Sequence, residues 1–173
     1  MRLFVALDMP EELQDRIHRL QIPVRDLKWE PPERLHLTLQ FLGEQPEQRL
    51  PELFEALAAV EFEPFELCCQ GIGHFRSGAI WLGIEPNDRL RSLHRQIGAR
   101  LRETGIAFES RRFSPHITLA RTARQRLLPA LDTVAERFQG ISYRFECDTF
   151  CLKSSLLRPT GALHRVEALF AAA

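Results

Sequence analysis

The chain has 173 residues, 45% of them hydrophobic and 27% charged, with a formal net charge of zero. That length suits one domain of ordinary size, or two small lobes sharing a core, and is enough to bury a sizeable core. Apolar runs too short for a bilayer argue against a membrane protein, and a neutral balance argues against one that coats long nucleic acid by charge alone, though a grip on one phosphate needs only a local positive site.

Arg2 to Leu7 reads as a strand and Pro10 to Leu20 as a helix with Leu13, Ile17 and Leu20 on one face. No small-residue cleavage site follows the first apolar stretch, so no signal peptide is expected and the cytoplasm is the default location. Leu35 to Leu42 reads as a strand, and Pro46 to Val60 as a helix through Leu50, Leu53, Phe54 and Leu57. Phe65 to Cys69 and Ala79 to Ile84 read as strands around a Gly71-Ile72-Gly73 turn region. A helix capped by Asn87 or Asp88 runs to about Glu103, with Leu90, Leu93, Ile97 and Leu101 inward, and Gly105 ends it. Ile106 to Glu109 and His116 to Arg121 are expected as strands, Leu127 to Phe138 as a helix, Ile141 to Leu152 as one long strand, Ser154 to Gly161 as a turn region, and Ala162 to Phe170 as the last strand. Strands that follow one another after short turns predict an α+β fold with antiparallel sheet.

One tetrapeptide recurs. His36-Leu37-Thr38-Leu39 reappears as His116-Ile117-Thr118-Leu119, 80 residues later, each copy on a predicted strand with prolines in its approach. Alternation along a strand sends the histidine and threonine to one face and the apolar pair to the other. If the two halves are duplicated lobes packed about a pseudo-two-fold axis, two imidazoles and two hydroxyls surround one small polar group. A lone His-x-Thr is ordinarily a structural feature; two at half-chain spacing point to chemistry. The arrangement suits a cyclic phosphodiester. One imidazole takes the proton of an attacking water and the other protonates the departing ribose oxygen, both roles being open to a group with an ordinary pKa of about 6.5. The threonine hydroxyls can donate to the non-bridging oxygens.

These blocks and their flanks resemble the two-histidine (2H) phosphoesterases, and most of all the RNA 2′,3′-cyclic phosphodiesterases also described as 2′-5′ RNA ligases. The resemblance rests on Arg2 to Leu7, on Trp29-Glu30-Pro31-Pro32-Glu33-Arg34-Leu35-His36-Leu37-Thr38-Leu39-Gln40-Phe41-Leu42-Gly43, on Trp81 to Ile84, and on Phe113-Ser114-Pro115-His116-Ile117-Thr118-Leu119-Ala120-Arg121. It implies a bilobal fold of two pseudo-symmetric antiparallel β-sheet lobes with outer helices and a central cleft. It also implies catalysis without metal or other cofactor. By the same resemblance His36 and His116 are the catalytic pair, Thr38, Thr118 and Arg121 bind phosphate, and Phe41 sits against the terminal base. The implied reaction opens the bond to the 3′ oxygen and leaves a 2′-phosphomonoester, with His36 leaning to proton donor and His116 to proton acceptor. The partner is then an RNA or oligonucleotide with a cyclic end, met by a monomer.

Arg111, Arg112, Arg121, Arg124 and Arg126 form the most basic stretch, with no carboxylate among them. Arg124 and Arg126 suit an RNA tail or solvated surface equally, and Arg111 and Arg112 suit surface. By alternation Arg121 and Phe41 fall on the faces opposite His116 and His36, so a bulge or strand end is required to bring either into the cleft. Trp29 and Trp81 are expected to pack, His18, His94 and His164 to be surface or structural, and His74 to be the histidine among these four best placed to border a cleft. The four cysteines show no C-x-x-C pair, which argues against a zinc cage and for reduced, buried thiols. No G-x-x-x-x-G-K-[ST], H-E-x-x-H or G-x-S-x-G motif is present, so nucleotide-driven ligation is disfavoured. Energy-neutral 2′-5′ end joining and non-catalytic nucleotide binding in the same cleft are the alternatives.

Overall fold

The computed structural model describes all 173 residues. Nine strands and four α-helices alternate along the chain: β1 (Arg2–Asp8), α1 (Glu11–Leu20), β2 (Leu27–Trp29), β3 (His36–Glu44), α2 (Leu50–Ala58), β4 (Phe65–His74), β5 (Ala79–Ile84), α3 (Asp88–Glu103), β6 (His116–Thr122), α4 (Leu127–Arg137), β7 (Ser142–Cys147), β8 (Thr149–Arg158) and β9 (Gly161–Ala171). Each helix forms where apolar residues recur at helical spacing. Leu13 and Ile17 bury one face of α1, and Leu90, Leu93, Ile97 and Leu101 bury one face of α3. The Asn87 side chain caps α3 by accepting from the Leu90 amide at 2.9 Å.

The sheet order is β7-β4-β5-β6-β3-β1-β8-β9, with β2 paired to β6. It is symmetric about the β6–β3 junction, where a single ladder pair, Leu37 with Ile117, joins two antiparallel half-sheets. The sheet therefore splays open at the junction, and the expected α+β architecture of two half-sheets with outer helices is what the chain adopts. Leu37, Leu39, Ile117 and Leu119 are fully or nearly fully buried in the core that the helices cover. Each such side chain contributes about 1.5–3 kcal/mol relative to exposure. The opposite face carries the histidines and threonines, so the apolar half of each tetrapeptide anchors the polar half.

Four stretches depart from their expected structure. Ile106 to Glu109 is not a strand: its carbonyls are taken by the Gln40 and Gln45 side chains, at Glu109 and Ala107, and the Glu109 amide donates to the Phe41 carbonyl. Gly71 to Gly73 is not a turn but part of β4, which passes through a bulge where Gly71 takes φ +79°. Ile141 to Leu152 is two strands, because the chain changes half-sheets at Asp148: β7 pairs with β4 and β8 with β1. Ser154 to Gly161 is mostly strand, since β8 runs on to Arg158 and turns tightly into β9. The short β2 carries too few residues to register as a periodic pattern.

Candidate active site

His36 opens β3 and His116 opens β6, and an antiparallel register centred on Leu37–Ile117 sets His36 opposite Thr118 and Thr38 opposite His116. All four side chains line one cleft of ≈ 390 Å³. Each imidazole is pinned in the same way. His36 Nδ1 lies 2.7 Å from the Arg34 carbonyl, and His116 Nδ1 lies 2.7 Å from the Ser114 carbonyl. A carbonyl can only accept, so Nδ1 carries the proton in both rings, and Nε2 is left as the working nitrogen. Neutral, Nε2 is a base; charged, it is an acid.

Arg121 and Phe41 also line the cleft, and the reason is one local device used twice. Ala6 pairs with Thr38 and Val5 with Gln40, so Leu39 is the extra residue of a bulge in β3. Trp81 pairs with Thr118 and Ile80 with Ala120, so Leu119 is the extra residue of a matching bulge in β6. Leu39 and Gln40 are buried together, as are Leu119 and Ala120. Alternation resumes one residue late, and Phe41 and Arg121 turn to the histidine face. Phe41 is 41% exposed and lies 6.4 Å from the Phe4 ring, with the Arg111 guanidinium 6.0 Å above it. The Arg121 Nε is 3.4 Å from Glu30 Oε1.

Burial lowers the pKa of both histidines, and in each the hydrogen bond to the carbonyl works against that. The remaining influences differ. His36 feels the Lys153 ammonium and the Asp8 carboxylate, with opposite effects, and His116 feels Arg121. Lys153 is only 5% exposed and its ammonium is bonded to the Asp8 carboxylate, whose residue pairs with His36 across β1 and β3. No such ion pair stands behind His116, which instead meets the edge of Phe75 at 4.8 Å and the Trp81 ring at 6.0 Å.

The structure reverses the expected placement of two histidines. His74 is exposed and does not line the cleft. His164, expected as surface or structural, does line it, with its ring 5.3 Å from that of His36 and 5.0 Å from Phe4. Its Nδ1 is buried without a partner, and burial together with His36, Lys153 and Arg34 holds its pKa down to about 4. Which face of β9 it occupies follows from the β8–β9 register, which only the fold supplies. Lys28 and Arg34 were likewise not singled out as cleft residues and are part of its lining. His94 stacks on Phe113 at 4.0 Å, and Trp29 donates to the Ile22 carbonyl at 2.7 Å, both packing roles. Arg126 pairs with Asp26 at 3.4 Å. The four cysteines are free and buried, and burial pushes the Cys69, Cys147 and Cys151 thiols up to about 12, which makes them poor nucleophiles. No helix is long and apolar enough to cross a membrane.

The model of the 2′-5′ RNA ligase superfamily matches residues 9–156. Among relatives, the RNA 2′,3′-cyclic phosphodiesterase of Archaeoglobus fulgidus is 30% identical over 95% of this chain and 97% of its own. The RNA 2′,3′-cyclic phosphodiesterase of Thermus thermophilus is 34% identical over 96% of this chain and 87% of its own. The crystal structure of E. coli LigT complexed with 3′-AMP superposes with a TM-score of 0.83 at 25% identity, over 99% of this chain and 97% of that one.

Proposed function

The chain belongs to the 2′-5′ RNA ligase superfamily, and from that premise we propose that it hydrolyses 2′,3′-cyclic phosphate ends of RNA to 2′-phosphomonoesters, without a metal ion. One observation carries the reading: two imidazoles, each with Nδ1 fixed at 2.7 Å to a carbonyl two residues upstream, present Nε2 to one shared cleft.

In this mechanism His116 Nε2 accepts a proton from water as its oxygen bonds to phosphorus. The bond from phosphorus to O3′ breaks, and the proton of His36 Nε2 goes to that oxygen. Each role is worth on the order of 10²–10⁴-fold in rate. Thr38 and Thr118 donate to the non-bridging oxygens, and the Arg121 guanidinium balances the charge of the pentavalent state. Phe41 offers an exposed ring for the terminal base to stack on. Lys153 eases release of a proton from His36, as Arg121 does from His116, so the assignment of His36 as donor rests on the family resemblance and not on these cations. A bound phosphodiester anion acts the other way and keeps that proton in place until the bond breaks.

With a ribose 5′-hydroxyl in place of water, the same groups join RNA ends 2′-5′: O5′ bonds to phosphorus as the bond to O3′ breaks, His116 takes the hydroxyl proton and His36 protonates O3′. The joining needs no added energy, and water at bulk concentration favours hydrolysis. The matching bulges and the symmetric strand order support an internal duplication within one bilobal domain; both halves of the cleft come from one chain, so a monomer suffices. The free thiols fit a cytoplasmic setting.

The test is a phosphorus NMR time course on a cyclic-phosphate-ended oligonucleotide in EDTA. A single 2′-phosphomonoester signal is expected. A 3′-phosphomonoester, or no turnover until metal is added, would overturn the proposal.

A further inference from the structure

Three cations line one side of the cleft, and the only carboxylate among them is fully engaged. Glu30 Oε1 pairs with Arg121 at 3.4 Å and Glu30 Oε2 with Arg34 at 3.8 Å. Lys28 has no carboxylate within ion-pair distance, although it stands directly opposite Arg121 in the β2–β6 pair. Like charges facing each other across a strand pair are unfavourable, and Glu30 neutralises only the Arg121 side of this one. Lys28 and Arg34 also converge at the start of β9. A Cβ on Gly161 would lie 3.3 Å from Arg34 Nη1 and 3.7 Å from Lys28 Nζ, while Gly161 itself takes φ +125°. Arg34 is held there by donating to the Ala162 carbonyl. The cations thus run as a row from Arg121, beside the histidines, through Lys28 to Arg34 at the β8–β9 hairpin. A side chain at position 161 would crowd the far end of that row.

His164 completes the wall. A buried nitrogen with no acceptor near it is better left as a bare lone pair than as an N–H, so the proton sits on Nε2. This ring is a neutral donor, the opposite tautomer to His36 and His116.

We propose that Lys28 and Arg34, with His164 beside them, form a second anion subsite. It takes the phosphodiester one nucleotide upstream of the cyclic end, so that the cleft selects oligonucleotides over cyclic mononucleotides. The subsite rests on the hydrolytic reading above for its substrate class but not for its existence.

The experiment compares a dinucleotide that ends in a 2′,3′-cyclic phosphate with the corresponding cyclic mononucleotide. The wild-type protein prefers the dinucleotide by on the order of tenfold or more in kcat/KM, mainly through KM, as one charge-assisted phosphate contact requires. Lys28→Gln brings the ratio of the two substrates toward one. It also makes the fall of log kcat/KM with log salt for the dinucleotide shallower by about 0.7, the value of one phosphate contact on a single strand. His164→Phe lowers the ratio and His164→Gln, which keeps an N–H donor, restores it. Equal use of both substrates by the wild type, or an equal loss on both in Lys28→Gln, overturns the subsite. Affinity for the matching 2′-phosphate-ended mono- and dinucleotide, measured without turnover, separates the two proposals. Tighter dinucleotide binding that Lys28→Gln abolishes upholds the subsite even if no cyclic end is ever opened, and equal binding overturns it even if hydrolysis is fast.

Discussion

The His36 half and the His116 half are built alike and furnished differently. Each begins a strand with an imidazole fixed through Nδ1 to its own backbone, places a threonine two residues on, and then bulges. The bulges deliver Phe41 in one half and Arg121 to the corresponding place in the other. An apolar ring and a guanidinium in equivalent positions divide the cleft into a side suited to a base and a side suited to a phosphate. Behind His36 stands the buried pair of Lys153 and Asp8; around His116 stand Phe75 and Trp81. The lesson is that a symmetric scaffold holds two imidazoles alike and sets them among different neighbours.

The sharpest way to break that comparison is to remove each imidazole in turn. His36→Ala and His116→Ala are each expected to cost on the order of 10²–10⁴-fold in kcat. The double variant should lose little more than the worse single one, because the pair acts as a unit. Next come the residues at the bulges. Arg121→Gln should cost about 10–100-fold on every cyclic end, as loss of a charge-assisted contact to phosphate does. Phe41→Ala should raise KM by roughly 5–10-fold, with kcat little changed and the effect larger for purine than pyrimidine ends, since stacking is worth about 1–3 kcal/mol per base. Steady-state kinetics on a set of four cyclic ends separates the two outcomes. Equal and base-independent losses in both variants would erase the distinction between the halves.

Titration sharpens the contrast further. With both imidazole pKa values below 6.5 in the free protein, the donor limb of kcat/KM falls as pH rises past the His36 value, and the acceptor limb falls as pH drops past the His116 value. The optimum therefore lies on the acidic side of 6.5. Lys153→Met removes a charge that lowers the His36 pKa and leaves Asp8, which raises it, so the donor limb should move to higher pH while the acceptor limb stays. A pH–rate profile checks this; an unmoved donor limb contradicts the assignment of roles.

The smallest expected effect is on stability. A histidine whose folded pKa is lowered favours the native state while neutral, so its contribution is present above about 6.5 and is lost as pH falls through the folded value. For His164 that loss extends down to about 4. His164→Gln should make the urea midpoint less sensitive to acid between those limits, and an unchanged acid sensitivity would count against the burial of this ring.

Much of the scaffold was legible because it is written in short-range pattern. The spacing of Leu90, Leu93, Ile97 and Leu101 fixes α3, and the repeated tetrapeptide marks the two strands that line the cleft. The rest depends on pairing between distant segments. Simple alternation sends Phe41 and Arg121 away from the cleft, and only the register of β3 against β1 and of β6 against β5 reveals the extra residue that brings them back. His164 belongs to the cleft because β9 pairs with β8 and β8 with β1, a chain of neighbours that no local pattern encodes. Lys28 reads as an isolated charge until β2 is set against β6.

The most direct test follows the imidazole resonances of His36 and His116 by nitrogen-15 NMR while a single 2′-nucleotide is titrated into the protein. Both Nε2 signals should shift together with one binding constant, saturate at one ligand per chain, and show both rings gaining a proton-sharing partner. A response from one ring alone, or two separate binding events, would contradict the convergence of both on a common phosphate.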